Sequence, residues 1–295
     1  MILFGGPTFI SSKTAGGAGQ SHGESEIDPG KIVEALKKKG YRSAYAPKVK
    51  LAQTEKIREI RTAFEEADIV IAEVGGWNNL LDTDLELRKK NRDQDIEALS
   101  LAEELGARCA INTFGTMGHG TVGQIYSAWN YTQEAFDAAV ELARMFIDAV
   151  KPKRASFVYE IYPFNVIDTP ENILRLIKAV DRDRFGVHMD LANLVNSART
   201  YWQSAELIQE SVRLFGDRIV SSHLKDILLC PPSVSVILKE VRAGLGGLDI
   251  AAYLKALNGL DRDVPLLMEH LKGEEEYDLA AEHVRSVAGQ EGISL

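Results

Sequence analysis

Phe185-Gly186-Val187-His188-Met189-Asp190 is a short apolar run that ends on a carboxylate, and its reading decides the fold. Three other runs have the same form: Phe157-Val158-Tyr159-Glu160, Ile219-Val220-Ser221-Ser222-His223 and Pro265-Leu266-Leu267-Met268-Glu269. Each closes on a side chain able to ligate a cation. The closing residues are separated by 30, 33 and 46 positions. A strand, a helix and two loops take roughly 30 residues. The spacing therefore predicts a βα array with one ligand at the C-terminal end of each successive strand. In a barrel of such units, catalytic groups belong at that end. Three carboxylates and one imidazole converging there would make a divalent-metal site.

Outward from these runs, the rest of the chain keeps the same rhythm. Four further strands are expected at Ile2-Leu3-Phe4, Ser43-Ala44-Tyr45, Asp68 to Ala72 and Arg108 to Ile111. Helices are expected between them. Asp28-Pro29 opens the first, with Val33 and Leu36 inside and Gly40 as its stop. Thr54 starts the second, and the third runs from about Asn91 to Leu105. Thr132 caps the fourth, whose Phe136, Ala139, Val140, Ala143, Phe146, Ile147 and Val150 recur at helical spacing. Thr169-Pro170 and Ser204 open the next two, and the last two are Asp249 to Leu257 and Asp278 to Val287. Eight strands alternating with eight helices predict an α/β fold, a closed (β/α)8 barrel of one domain over residues 1–295. An open doubly wound sheet is the weaker alternative, because no G-x-G-x-x-G follows the first strand. Gly115-Thr116-Met117-Gly118-His119-Gly120 is read as a mobile βα loop over the site, with His119 facing solvent. The longest break in the rhythm, Asp226 to Asp249, is read as a functional loop.

The chain has 295 residues, 45% of them hydrophobic, and a net charge of −9. That acidity disfavours a nucleic-acid partner, which calls for a basic face. Cys109 and Cys230 form no C-x-x-C pair, so a disulfide framework is not expected and a reducing, cytoplasmic setting is. No apolar run approaches the ~18 residues of a membrane span, and no signal peptide is evident.

The donor set of Glu160, Asp190, His223 and Glu269 is rich in hard oxygen. It suits one divalent ion, Mn2+ or Mg2+, with Co2+ and Zn2+ also acceptable to such donors. Lys225, two residues beyond His223, is placed to offset the surplus negative charge. His188 shares a strand face with Asp190. Trp77, in Gly75-Gly76-Trp77-Asn78-Asn79, can stack on a sugar face. Glu73 and Asn112 end the third and fourth strands, where either can bond hydroxyls. His270 follows Glu269 and should point away from the barrel axis.

Val187-His188-Met189-Asp190-Leu191-Ala192-Asn193, Ser222-His223-Leu224-Lys225-Asp226 and Leu267-Met268-Glu269-His270 resemble the xylose-isomerase-like TIM-barrel superfamily, in the branch of sugar isomerases and epimerases grouped with AP endonuclease family 2. The resemblance is strongest from Phe157 to Leu271. It implies that Glu160, Asp190, His223 and Glu269 bind one metal ion and that Glu160 and Glu269 double as acid and base. It also implies a small carbohydrate substrate and often a homo-oligomer; Lys225, His188, Trp77, Asn193 and Asn112 are the candidate groups to hold that substrate. The DNA-repair relatives carry a trinuclear zinc site. They have a histidine where this chain has Asn193 and an Asp-x-His pair where it reads Leu228-Leu229-Cys230-Pro231-Pro232. Ketose 3-epimerases also have that histidine, and an arginine where Leu229 stands.

The implied chemistry begins with proton abstraction beside a metal-bound carbonyl, giving an enediolate. Returning the proton yields an epimerase or an isomerase. Expelling a β-hydroxyl yields a dehydratase acting on a keto-polyol such as an inosose. No phosphate-cradling motif is evident, although Arg242-Ala243-Gly244-Leu245-Gly246-Gly247 has the composition to wrap an anion.

Overall fold

The computed structural model describes residues 1–9, 27–121, 124–230 and 234–295. Its strands are β1 (Ile2–Gly5), β2 (Ser43–Tyr45), β3 (Val70–Gly75), β4 (Cys109–Asn112), β5 (Ser156–Glu160), β6 (Phe185–Asp190), β7 (Ile219–Leu224), β8 (Asp226–Leu229), β9 (Leu238–Val241) and β10 (Val264–Met268). All but β8 and β9 pair in parallel and close into a barrel, with β1 bridging β10 and β2. The fold is a TIM barrel, as the spacing of the ligand-bearing runs predicts.

Ten helices are described: α1 (Pro29–Lys38), α2 (Thr54–Glu66), α3 (Leu85–Leu105), α4 (Gln133–Val150), α5 (Pro170–Val180), α6 (Leu191–Leu194), α7 (Ala198–Trp202), α8 (Ser204–Phe215), α9 (Ile250–Asn258) and α10 (Gly273–Gln290). The side chains of Asp28, Thr132 and Thr169 accept the N-capping hydrogen bonds of α1, α4 and α5. In α1 the fully buried face is Ile32 and Leu36, with Val33 at its margin. Helix α3 starts six residues earlier than its apolar period suggests, because Asp84 caps it through the backbone N–H groups of Glu86 and Leu87. The short α6 and α7 carry too few apolar repeats to be read from sequence.

Two departures matter for the site. The stretch after Asp226 is an antiparallel hairpin, β8–β9, rather than an irregular loop; Pro231 and Pro232 lie outside the described residues. The glycine-rich stretch after β4 is pinned rather than loose. Asn79 donates to the carbonyl of Gly118 and accepts from Thr116 N–H, and Asp82 accepts from Gly120 N–H and faces His119.

Most of the apolar core lies between barrel and helices, where Phe157, Tyr159, Phe185, Val187 and Met189 face outward. A separate small cluster of Cys109, Ile111 and Val158, with Trp77 and Val220 against it, fills the barrel interior. Strand alternation then sends Glu160 inward with Val158, and Asp190 inward opposite Met189.

Alternation alone would fail for two other residues. Ala44 pairs with Ile71 but Tyr45 pairs with Glu73, so β3 holds one extra residue there. Val187 pairs with Ile219 but His188 pairs with Ser221, so β7 also holds one extra. Ile71 and Ile219 belong to the outer core. Without the bulges, Glu73 and His223 would share that side. With them, both turn to the axis.

Candidate metal centre

Glu160 closes β5, Asp190 closes β6, His223 is next to last in β7, and Glu269 follows β10 directly. One ligand atom from each lies within 4.8 Å of all the others. All four residues are buried, the most exposed being Glu160 at 5%. His223 Nδ1 is 3.2 Å from Glu160 Oε1 and 3.0 Å from Glu269 Oε2. Lys225 Nζ donates to both Asp190 Oδ2 and Glu269 Oε1, and Glu240 Oε1 of β9 is 3.9 Å away. The cation expected near the ligands is therefore inside the cluster, bridging two of them.

The charges shape one another. Burial raises the Glu160 carboxyl to about 7, partly offset by His223. Burial also works to raise Glu269, but His223 and Lys225 outweigh it and hold that carboxyl well below its usual range. Burial opposes the charge on Lys225, yet Asp190 and Glu269 keep its ammonium protonated far beyond the ordinary range.

Beneath the quartet lies a second buried group. Glu73 Oε1 is 3.2 Å from His223 Nε2, and Glu73 Oε2 is 3.4 Å from His188 Nδ1. The His188 and His223 rings meet edge-on with centroids 4.0 Å apart. His188 is sealed from solvent, and neither of its ring nitrogens has a hydrogen-bond partner. Burial and the neighbouring His223 hold its pKa well below the usual value.

The other substrate-binding candidates are dispersed. Trp77 is half-buried with φ +41° and packs over the interior cluster of Cys109, Ile111 and Val158. Asn193 N–H caps onto Asp190 Oδ1, and its amide donates to Ile161 O at 2.9 Å, tying the exits of β5 and β6 together. Asn112 turns toward α3, where its amide is 3.1 Å from both oxygens of Asp95, and its Oδ1 has no partner.

Three features add to or modify what the sequence alone suggests. His270 has φ +58°, so it does not follow strand alternation; its Nε2 is 3.4 Å from Glu269 Oε2 and its Nδ1 is 2.8 Å from Glu240 Oε2. A backbone in the left-handed region has no strand parity, although histidine is enriched there. Tyr126, Tyr162 and Phe164 form an aromatic group just beyond Glu160, with Phe164 4.8 and 5.5 Å from the other two rings. The glycine run after β9 does wrap an anion, but the anion is internal. The Asp226 carboxylate accepts from the N–H groups of Ile227, Gly244, Gly246 and Leu248 at 2.8–3.1 Å.

A family model described as xylose isomerase-like TIM barrel matches residues 33–287. The chain belongs to that family. A search of curated proteins returns no match. Among solved structures, a xylose isomerase-like TIM-barrel protein from Mycobacterium smegmatis in complex with magnesium superposes with a TM-score of 0.66 at 17% identity, covering 97% of this chain and 95% of that one. The 3-keto-D-glucoside 4-epimerase of E. coli gives 0.65 at 11% identity, with 98% and 100% covered. A probable 3-DHS dehydratase of petrobactin synthesis from Bacillus anthracis gives 0.61 at 14% identity, with 90% and 94% covered. At these identities the likeness is one of fold. Among the described residues, no helix is long and apolar enough to cross a membrane.

Proposed function

We propose that this protein is a divalent-metal-dependent isomerase or epimerase of a small carbohydrate or keto-sugar. The observation that carries the reading is the buried convergence of Glu160, Asp190, His223 and Glu269. The donor set fits a hard cation. Three carboxylates and an imidazole are within reach of one point, and buried carboxylates this close need more positive charge than His223 and Lys225 supply. Mg2+ or Mn2+ is the ion of choice, and a relative of the same fold is described in complex with magnesium.

When bound, the ion would supply Lewis acidity to a substrate carbonyl, making the adjacent C–H acidic. The chain's own residues do the rest. Glu160 ends β5 and Glu269 follows β10, so the two can take and return a proton on different faces of one carbon. The C–H electron pair moves toward the carbonyl as the proton leaves. Returning the proton to the opposite face inverts the centre; returning it to the former carbonyl carbon, as the adjacent hydroxyl gives its proton to the former carbonyl oxygen, moves the carbonyl. Asp190 and His223 hold position, and Lys225 stabilises negative charge. Loss of a β-hydroxide after the same first step would make the protein a dehydratase; the dehydratase of like fold supports that second reading.

The test is a panel of keto-sugars, keto-acids and inososes in D2O with Mg2+, followed by NMR. Deuterium should enter beside the carbonyl of at least one compound. Glu160→Gln and Glu269→Gln should each slow that exchange by roughly 10²-fold or more. Full exchange in both variants contradicts the assignment of acid and base.

A further inference from the structure

Glu73 lies outside the quartet, and its placement requires an unusual piece of backbone. Strand alternation would seat it with Ile71, against the helices. The extra residue in β3 turns it inward, and a matching extra residue in β7 turns His223 to meet it. Both partners of one contact therefore depend on a bulge in their own strand. Such bulges commonly re-aim side chains near active sites.

The contact divides the imidazole of His223 between two tasks. Nδ1 faces Glu160 and Glu269, at 3.2 and 3.0 Å. Nε2 faces Glu73 Oε1, at 3.2 Å. With a metal ion in place of the Nδ1 proton, a proton donated from Nε2 to that carboxylate would leave the Nδ1 lone pair on the side of Glu160 and Glu269. A ligating histidine ordinarily gives its other N–H to a carboxylate or carbonyl in this way, which fixes the tautomer and the ring plane and raises the basicity of the ligating nitrogen. Two further contacts hold the residue, one at its backbone and one at its ring. Tyr253 OH bonds the His223 carbonyl at 3.3 Å, and His188 packs edge-on against the imidazole from beneath. His188 also faces the second oxygen of Glu73, so one buried carboxylate spans two buried imidazoles.

We infer that Glu73 is a positioning residue for the metal centre: its carboxylate holds the proton on His223 Nε2 and presents Nδ1 as the ligand. The inference rests on the metal-dependent reading given above. Glu73 touches no reacting atom in this account and acts only through His223.

The experiment uses the full chain as wild type, Glu73→Gln and Glu73→Ala. Metal affinity is measured by competition with a chelator, for Mn2+ and for Zn2+. Glu73→Ala should bind each ion 10- to 100-fold more weakly, the range found when such outer partners are removed. Glu73→Gln keeps an acceptor oxygen without the charge and should fall between. Nitrogen-15 NMR of the Zn2+-loaded wild type should show His223 with Nε2 protonated and Nδ1 ligated. Thermal unfolding in excess chelator separates folding from binding, and the near-isosteric Gln variant still tests the idea if the Ala variant does not fold. Equal affinity in the wild type and the Gln and Ala variants, or a His223 ligated through Nε2, overturns the inference while leaving the metal reading intact. A wild type that takes up no divalent ion overturns the metal reading itself, and the role of Glu73 falls with it.

Discussion

Replacing Lys225 with methionine removes the ammonium that bridges Asp190 and Glu269 of the candidate centre while keeping the apolar stem. Lys225 is 3% exposed, and its partners Asp190 and Glu269 are 0% and 1% exposed. Screening by solvent is therefore slight. Breaking a buried pair by deleting one partner costs about 3–5 kcal/mol, because the surviving charges are left uncompensated. In a chain this large, 1 kcal/mol moves the melting temperature by roughly 2–3 °C. Lys225→Met should therefore melt roughly 6–15 °C below the wild type in excess chelator. A divalent ion restores the missing positive charge at the same carboxylates, and in the variant it no longer competes with the ammonium. Saturating Mn2+ should raise the melting temperature of Lys225→Met by more than that of the wild type, closing most of the gap. Differential scanning calorimetry with and without Mn2+ measures both quantities. An unchanged gap at saturating Mn2+, or no gap in chelator, refutes the view of Lys225 as counter-charge to a cation site.

Two other outcomes follow from buried carboxylates away from the quartet. Burial raises the Asp95 carboxyl to about 7, with hydrogen bonds from Asn112 and Asn78 opposing it. Since the folded-state value lies above the unfolded one, the folded chain binds the extra proton between about pH 4 and 7, and stability falls as pH rises through that window. At 1.36 kcal/mol per pKa unit the total is roughly 4 kcal/mol. Asp95→Asn should flatten that fall and exceed the wild type in stability at pH 8, as chemical denaturation at a series of pH values will show; an identical slope in the variant contradicts the argument. Asp226→Ala strips the acceptor from four backbone N–H groups. At 1–3 kcal/mol for each group that stays dry, the loss should be roughly 3 kcal/mol or more, accompanied by faster hydrogen exchange at Gly244 to Leu248. Unchanged exchange there would show that Asp226 does not hold the turn.

The barrel and the quartet were legible because each ligand follows an apolar run at strand length, so position alone placed it at a C-terminal strand end. Two of the hidden parts share a physical cause: a backbone irregularity that leaves no mark in composition. Glu73 was visible as a strand-end residue, but its approach to His223 depends on a bulge that hydrophobic alternation does not announce. The approach of His270 to the Glu269 carboxylate is not legible, because strand parity does not extend into a residue of positive φ. The stretch after β7 reads as a loop since β9 and the end of β8 are exposed or half-buried, and a strand with little burial has no alternation to read. The glycine run was recognised as an anion cradle from its composition, but its ligand, Asp226, sits 18 residues before Gly244 and closes the loop internally.

The most direct measurement is elemental analysis of the purified protein equilibrated with Mn2+ or Mg2+ and then freed of unbound ion, in parallel with His223→Ala. The account predicts close to one divalent ion per chain in the wild type and little in the variant, with both still folded. A wild type without stoichiometric metal, or a His223→Ala protein that retains it, contradicts the central claim that Glu160, Asp190, His223 and Glu269 form a metal centre.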